Sequence, residues 1–384
     1  MRLTVKLGRN APRLAHNLSP KSNTRQFSST LIQPHSSSPT PESKSEPSPK
    51  IIFSGIQPTG VPHLGNYLGA LKQWKDMQDA AHPSDKLFFS IVDLHALTIP
   101  GNADKLRRNR REMLTSLLAI GLDPERSAIF YQSSVSQHAE LQWILSCTAS
   151  TGYLSPLKHG LFSYPILQAA DILLHQSTHV PVGSDQKQHL EFARECVTNF
   201  HSSWSIPSSS SRPPIFRYPQ TISLDSSSSR IMSLSDPTKK MSKSDPVEKS
   251  KIFISDDEGV IRAKIKSALT DSVSKFVGEY DSVNRPGVAN LLEILAGFSG
   301  GGERKTGREL AEELKGESLL GLKTLTADAV VKGLAEVREK FRQFGEDTEQ
   351  NKARMREIED IGTRRARESA ERTMERVREA IGLA

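Results

Sequence analysis

Ile51-Ile52-Phe53-Ser54-Gly55-Ile56-Gln57-Pro58-Thr59-Gly60, followed two residues later by His63-Leu64-Gly65-Asn66, is the stretch that decides the fold. The apolar run from Ile51 suits a strand buried on both faces of a parallel sheet. Gln57-Pro58-Thr59-Gly60 turns the chain. Tyr67, Leu68, Leu71 and Trp74 then recur at helical spacing. A strand, a tight turn and a helix start make an anion site, because free backbone N–H groups and the positive end of the helix dipole face whatever lies above the strand. Gly65 has no Cβ, so a ligand can come close.

Working outward, Leu87-Phe88-Phe89-Ser90-Ile91-Val92 and Ala128-Ile129-Phe130-Tyr131 read as further strands. Residues 104–120 read as the helix between them, capped by Asp104, with Leu106, Met113, Leu117 and Ile120 apolar. Alternating strands and helices predict an α/β fold with a parallel sheet and right-handed crossovers. Ligands of such sheets bind beyond the carboxyl ends of the strands.

The chain has 384 residues, 36% hydrophobic and 25% charged, which allows two globular domains. No stretch approaches the ~20 apolar residues of a membrane helix. Two cysteines, Cys147 and Cys196, cannot build a disulfide framework and read as buried thiols in a reducing compartment. The net charge is +7. Seven basic residues against two acidic ones before Lys50 put +5 of it in the first 49 positions and leave +2 for the rest. RNA binding would therefore depend on local patches rather than on bulk charge.

That first segment has no acidic residue before Glu42 and is rich in Arg and Ser, the composition of a mitochondrial transit peptide. Arg25-Gln26-Phe27-Ser28-Ser29 reads as its processing site, and the Ser/Pro-rich run that follows reads as a linker. The expected organisation is thus a leader and linker over 1–49, an α/β domain over 50–255 with a disordered Ser-rich insertion at 202–229, and a helical domain over 256–384. Val330, Leu334, Val337, Phe341 and Phe344 form an apolar stripe there, and Met374, Val377 and Ile381 line a last helix.

Two further strings carry chemistry. Asp236-Pro237-Thr238-Lys239-Lys240-Met241-Ser242-Lys243-Ser244-Asp245-Pro246 is a polar loop bracketed by prolines, too polar to pack and so expected to be free to move. Lys240 and Lys243 put two ammonium groups into a small space, where they can stabilise negative charge that develops in a transition state. Tyr164-Pro165-Ile166-Leu167-Gln168-Ala169-Ala170-Asp171 reads as a helix entered at Pro165. Tyr164, Gln168 and Asp171 share one of its faces. A carboxylate beside an aromatic and an amide suits a small aromatic ligand with a single N–H donor.

Taken together, Gly55-Ile56-Gln57-Pro58-Thr59-Gly60 with His63-Leu64-Gly65-Asn66, the complete Lys240-Met241-Ser242-Lys243-Ser244 string with its Asp236-Pro237-Thr238 lead-in, and Arg230-Ile231-Met232-Ser233-Leu234 resemble the class I tryptophanyl-tRNA synthetases. The likeness covers roughly residues 51–384. It implies ATP-dependent activation of tryptophan and transfer to a tRNA for mitochondrial translation, by a homodimer with ATP and Mg²⁺, the metal bound through the ATP phosphates and not by a protein site. It implies catalytic roles for His63, Asn66, Lys240 and Lys243. ATP contacts would come from Gln57, Pro58, Thr59, Gly65 and Asn66, from Gly183, Ser184 and Asp185, and from Ile231, Lys240, Met241, Ser242, Lys243 and Ser244. Tryptophan contacts would come from Phe53, Gln57 and His95, from Tyr164, Gln168 and Asp171, and from Val182 and Gln186. Asp171 takes the indole N–H in this reading, and the helical domain carries the surface that reads the tRNA anticodon.

The chain departs from the family at the link Ser155-Pro156-Leu157-Lys158-His159-Gly160-Leu161-Phe162-Ser163, where relatives carry a longer stretch with a basic run that reaches the ATP phosphates. A weakened enzyme is the expected consequence. Ser184 stands where the family has Glu. The alternatives are an enzyme of the tyrosyl type, and a catalytically impaired RNA-binding protein.

Overall fold

The computed structural model describes residues 48–149, 159–183, 187–204, 214–223, 230–272, 276–299 and 305–384. Ser48–Ala384 is one compact unit. The expected leader, Ser184, Asp185 and Gln186, and link residues 155–158 lie outside the described residues.

In chain order, β1 (Ile51–Ile56) leads into a continuous helical stretch of α1 (Leu64–Asn66), a π-helical turn over Tyr67–Leu71 and α2 (Lys72–Ala80). Then follow β2 (Lys86–Ile91), α3 (Asp93–Ala96), α4 (Ala103–Ala119), β3 (Ala128–Tyr131), α5 (Gln137–Ser146), α6 (His159–Leu174), β4 (His179–Val182), α7 (Lys187–Ser203) and β5 (Gln220–Ser223). The remainder is helical: α8 (Glu258–Lys266), α9 (Pro286–Phe298), α10 (Gly307–Glu313), α11 (Leu319–Gly333), α12 (Ala335–Gly345) and α13 (Glu349–Ile381). The strands form one parallel sheet in the order β3-β2-β1-β4-β5. The order reverses beside β1, so the carboxyl ends of β1 and β4 diverge and open a crevice.

Period-two alternation along each strand sorts its side chains into two cores, one per face of the sheet. Ile52, Leu87, Phe89, Ile91, Ile129 and Tyr131 belong to one, with Leu71 of the π-helical turn, Trp74 of α2, Leu117 of α4 and Leu292 of α9. Trp74 stacks on Phe89 at 4.9 Å. Phe53, Phe88 and Phe130 belong to the other, with residues of α5, α6 and α7 and with Ala366, Ala370, Met374 and Val377 of α13. Each such side chain taken fully out of water contributes about 1.5–3 kcal/mol. The last helix therefore returns to seal one face of the parallel sheet. Gly362 lets it come close, because a Cβ there would lie 1.8 Å from the carbonyl oxygen of Ile129 in β3.

Several expectations are corrected. Residues 214–223 are not disordered insertion: Ile215 and Phe216 are buried in the second core, and Gln220–Ser223 pairs with β4. The apolar and β-branched residues in that piece outweigh the serines around it. Pro165 does not open its helix but is the seventh residue of α6, where it gives no N–H to the turn before it. The cap of α4 is Asn102, whose side chain accepts from Lys105 N at 2.9 Å, and Asp104 sits in the first turn. The stripe from Val330 to Phe344 is split between α11 and α12 at Leu334. Cys147, at the end of α5, is exposed, and only Cys196 is buried. Burial pushes the Cys196 thiol up to about 12.

Candidate active site

At the switch point lies a cavity of about 520 Å³. Phe53, Gly55 and Gln57 of the first signature, His95, Tyr164, Gln168 and Asp171, and Val182 of β4 line it. Seven of the eight residues expected to hold the aromatic substrate thus converge, and the eighth, Gln186, is outside the described residues. The face of α6 that bears Tyr164, Gln168 and Asp171 is turned into the cavity, as its spacing predicts.

Asp171 is buried, and three side chains surround its carboxylate. His95 Nε2 lies 2.9 Å from Oδ2. Gln132 Nε2 donates to Oδ1 at 2.7 Å. His138 Nδ1 lies 2.7 Å from Oδ1, without the alignment of a full hydrogen bond. Burial alone would raise the Asp171 carboxyl, but the His138 and His95 rings at its two oxygens outweigh it and hold it below the usual carboxylate range. The site therefore contains a carboxylate, not a carboxylic acid. Behind it His175 stacks on Phe88 at 4.5 Å and on Phe53 at 5.7 Å. Burial, then the neighbouring His138, keeps that ring neutral by lowering it well below the usual range. Tyr164 Oη is 3.2 Å from His189 Nε2, which fixes the phenol at the cavity wall.

The second half of the site is the turn after β1. His63 is buried and caps the following helix: its Nδ1 accepts from Asn66 N at 3.2 Å, and Asn66 Oδ1 accepts from His63 N at 3.3 Å. With Nδ1 an acceptor, the proton of the neutral ring is on Nε2. Burial, then the ammonium groups of Lys243, Lys240 and Lys251, lowers His63 to about 4, so the ring is neutral at physiological pH. A Cβ on Gly65 would lie 3.0 Å from the His63 ring, so this glycine first of all admits its own neighbour's imidazole.

The lysine loop closes over that turn. Lys243 Nζ donates to Thr59 Oγ1 at 2.9 Å and to Gly60 O at 2.8 Å. Burial lowers its ammonium to about 8, and Glu112 works the other way. The expected unpacked loop is also corrected: Met241 is 2% exposed, and its N–H donates to Ile231 O at 3.1 Å. One apolar residue among the polar ones is enough to anchor the segment. Asn290 of α9 clamps the preceding strand-like piece, accepting from Met232 N at 2.8 Å and donating to Met232 O at 2.9 Å. Lys251, also buried, donates to Asp245 O at 2.5 Å and ties down the tail of the loop. Lys240 is exposed. Pro58, Ser242 and Ser244 belong to the same turn and loop, and Gly183 follows β4.

Gln132, His138, His189, Asn290 and Lys251 were not singled out from sequence. Two had a signal: Asn290 falls in the Arg285-Pro286-Gly287-Val288-Ala289-Asn290-Leu291 string that opens α9, and His189 ends the family-like string that starts at Val180. The partner that Gln132 and His138 share, Asp171, lies too far along the chain for any local pattern.

A parallel sheet with a switch-point cavity, a phosphate-ready turn and a cationic loop bonded to that turn defines a Rossmann-like, nucleotide-using α/β enzyme of the class I synthetase type. The sequence profile described as tRNA synthetases class I (W and Y) matches residues 45–335. The mitochondrial tryptophan–tRNA ligase of Schizosaccharomyces pombe is 40% identical over 362 residues, 86% of this chain and 95% of that one. The crystal structure of tryptophanyl-tRNA synthetase from Mycoplasma pneumoniae superposes with a TM-score of 0.73 at 31% identity, covering 87% of this chain and 98% of that one. That of the Campylobacter jejuni enzyme, complexed with ADP and tryptophan, gives 0.68 at 32% identity, covering 87% and 100%. The chain belongs to the class I tRNA synthetases of the tryptophan and tyrosine family.

Proposed function

We propose that this chain is a tryptophan–tRNA ligase that uses ATP to make tryptophanyl-adenylate and then loads tRNA(Trp). The observation that carries the proposal is the pairing of two devices at one switch point: a buried carboxylate in a cavity walled by both apolar and polar side chains, and a lysine loop bonded to the turn beside it. A carboxylate acceptor suits indole, which has one donor and no acceptor. A phenolic substrate would be served by an acceptor too, but Gly55-Ile56-Gln57-Pro58-Thr59-Gly60 and the Asp236–Pro246 string favour tryptophan over tyrosine.

In the first step the tryptophan carboxylate attacks the α-phosphorus of ATP in line, and pyrophosphate leaves with the bonding pair. Phe53, His95, Tyr164, Gln168, Asp171 and Val182 would hold the amino acid, joined by Gln186. Gln57 and Gly55 stand between the two subsites. Thr59, Gly65 and the Nε2–H of His63 would face the phosphates, and Asn66 has its amide nitrogen for the nucleotide. Ile231 and Met241 would border the adenine, Ser184 and Asp185 the ribose. Lys243 and Lys240 would meet the charge that grows on the departing pyrophosphate. In the second step a terminal ribose hydroxyl of the tRNA attacks the activated carbonyl, and AMP leaves. No covalent enzyme intermediate is needed, because positioning and charge stabilisation carry both steps. Mg²⁺ would enter on the ATP phosphates; among the described residues no cluster of three or more His, Cys, Asp or Glu could hold it.

The proposal extends to the rest of the chain. Residues 50–255 would be the catalytic domain and 256–384 the helical part that meets the anticodon, with α13 packed back on the sheet. The acid-free leader supports import into the mitochondrial matrix, and likeness to the family supports a homodimer. Among the described residues no helix is long and apolar enough to cross a membrane. ATP–pyrophosphate exchange by the full chain, with tryptophan and tyrosine compared, tests the function. Tryptophan-dependent exchange is the expected result. Exchange with neither, in a folded chain, would favour the impaired RNA-binding reading.

A further inference from the structure

Among the described residues Asp171 is the one carboxylate that lines the cavity, and it is crowded. A carboxylate offers about four acceptor positions on its two oxygens. Gln132 donates to Oδ1, the His138 ring crowds the other side of that oxygen, and His95 occupies one position of Oδ2. Among the described residues this leaves one position, on Oδ2, for a donor in the cavity. His138 Nδ1 lies 2.7 Å from Oδ1, which leaves no room for a water between them.

Neither Gln132 nor His138 lines the cavity; both are fully buried behind it. Gln132 is also a bridge. Its Oε1 accepts from Leu94 N at 3.1 Å while its Nε2 holds Asp171. The same amide thus fixes α6, which bears the acceptor, to the turn of α3, which bears His95. His138 is wedged between the rings of Phe130 at 5.9 Å and His175 at 5.2 Å, and so has little freedom to swing away.

From this arrangement we infer that Gln132 and His138 are positioning residues that make the cavity selective for a single N–H donor, by filling Oδ1 and leaving one aimed acceptor on Oδ2. The inference rests on the tryptophan reading above. A carboxylate lacking its Oδ1 partners would be free to rotate and to recruit water, which would satisfy a ligand with no donor as well as one with it. A site built to receive one hydrogen bond rejects ligands that lack the donor, because its buried acceptor is left unpaired.

The test is ATP–pyrophosphate exchange by the full chain with tryptophan and with its benzothienyl analogue, in which sulfur replaces the indole N–H. The quantity read is the ratio of the two kcat/KM values. Gln132→Met and His138→Leu should each shrink that ratio about tenfold, through the KM for tryptophan, with the KM for ATP unchanged. His138→Asn, whose amide can stand where Nδ1 stands, should restore it. Thermal unfolding of each full chain identifies a variant that has failed to fold, in which case the other residue's substitution decides. An unchanged ratio in a folded variant, or a parallel loss with both substrates, would overturn the inference and leave the enzyme reading intact. No tryptophan-dependent exchange in the parent chain would overturn both.

Discussion

Lys243 Nζ donates to the hydroxyl of Thr59 at 2.9 Å, tying the lysine loop to the turn after the first strand. The two residues are 184 positions apart, and their contact joins the strings that the sequence offers separately. If the ammonium stabilises the departing pyrophosphate, Lys243→Ala should lower kcat for exchange by a hundredfold or more, about 3 kcal/mol by comparison with other lost charge-stabilising donors. Its KM for tryptophan should barely move. Steady-state exchange kinetics would check this, and an equal loss in both parameters would count against the role.

The same group predicts a pH effect. Burial lowers Lys243 to about 8, so in the free enzyme it is charged below that pH and neutral above. The kcat/KM for ATP, which reports the free enzyme, should fall as pH rises through about 8. ATP phosphates would favour the charged form, so the limb in kcat should lie higher. Lys243→Arg, which stays charged, should abolish the fall in the pH profile.

Asn290 is 4% exposed and makes both backbone hydrogen bonds to Met232. Asn290→Ala would strand a donor and an acceptor and should cost about 1–3 kcal/mol. Because Met232 leads into the lysine loop, the KM for ATP should rise more than that for tryptophan. Urea unfolding together with exchange kinetics would separate the two effects.

Gly362 gives α13 its close approach to β3. Gly362→Ala should destabilise the chain by about 1–3 kcal/mol through overpacking, although alanine is the better helix former. A lower urea midpoint is the expected measurement, and a gain in stability would show that the helix can shift without loss.

A last prediction concerns the short link. Inserting the longer, basic stretch of the family between Leu154 and Tyr164 should raise the rate of exchange. An unchanged turnover number would show that the chain as it stands is fully competent.

The sequence by itself determined the α/β class, three of the strands, and the convergence of Tyr164, Gln168 and Asp171, because periodicity and turn chemistry are local. The two signature strings also placed the phosphate turn and the lysine loop. Local signals failed where distant partners outweighed them. Pro165 reads as a helix start but sits inside α6, and the serine-rich flanks of Gln220–Ser223 hid a strand that β4 completes. Only the tertiary structure decided that Met241 anchors the lysine loop, that α13 closes the sheet, and that His138 and His95 hold Asp171 ionised. A buried carboxylate keeps its charge only through groups brought to it by folding, and those groups lie 33 and 76 positions away in the chain.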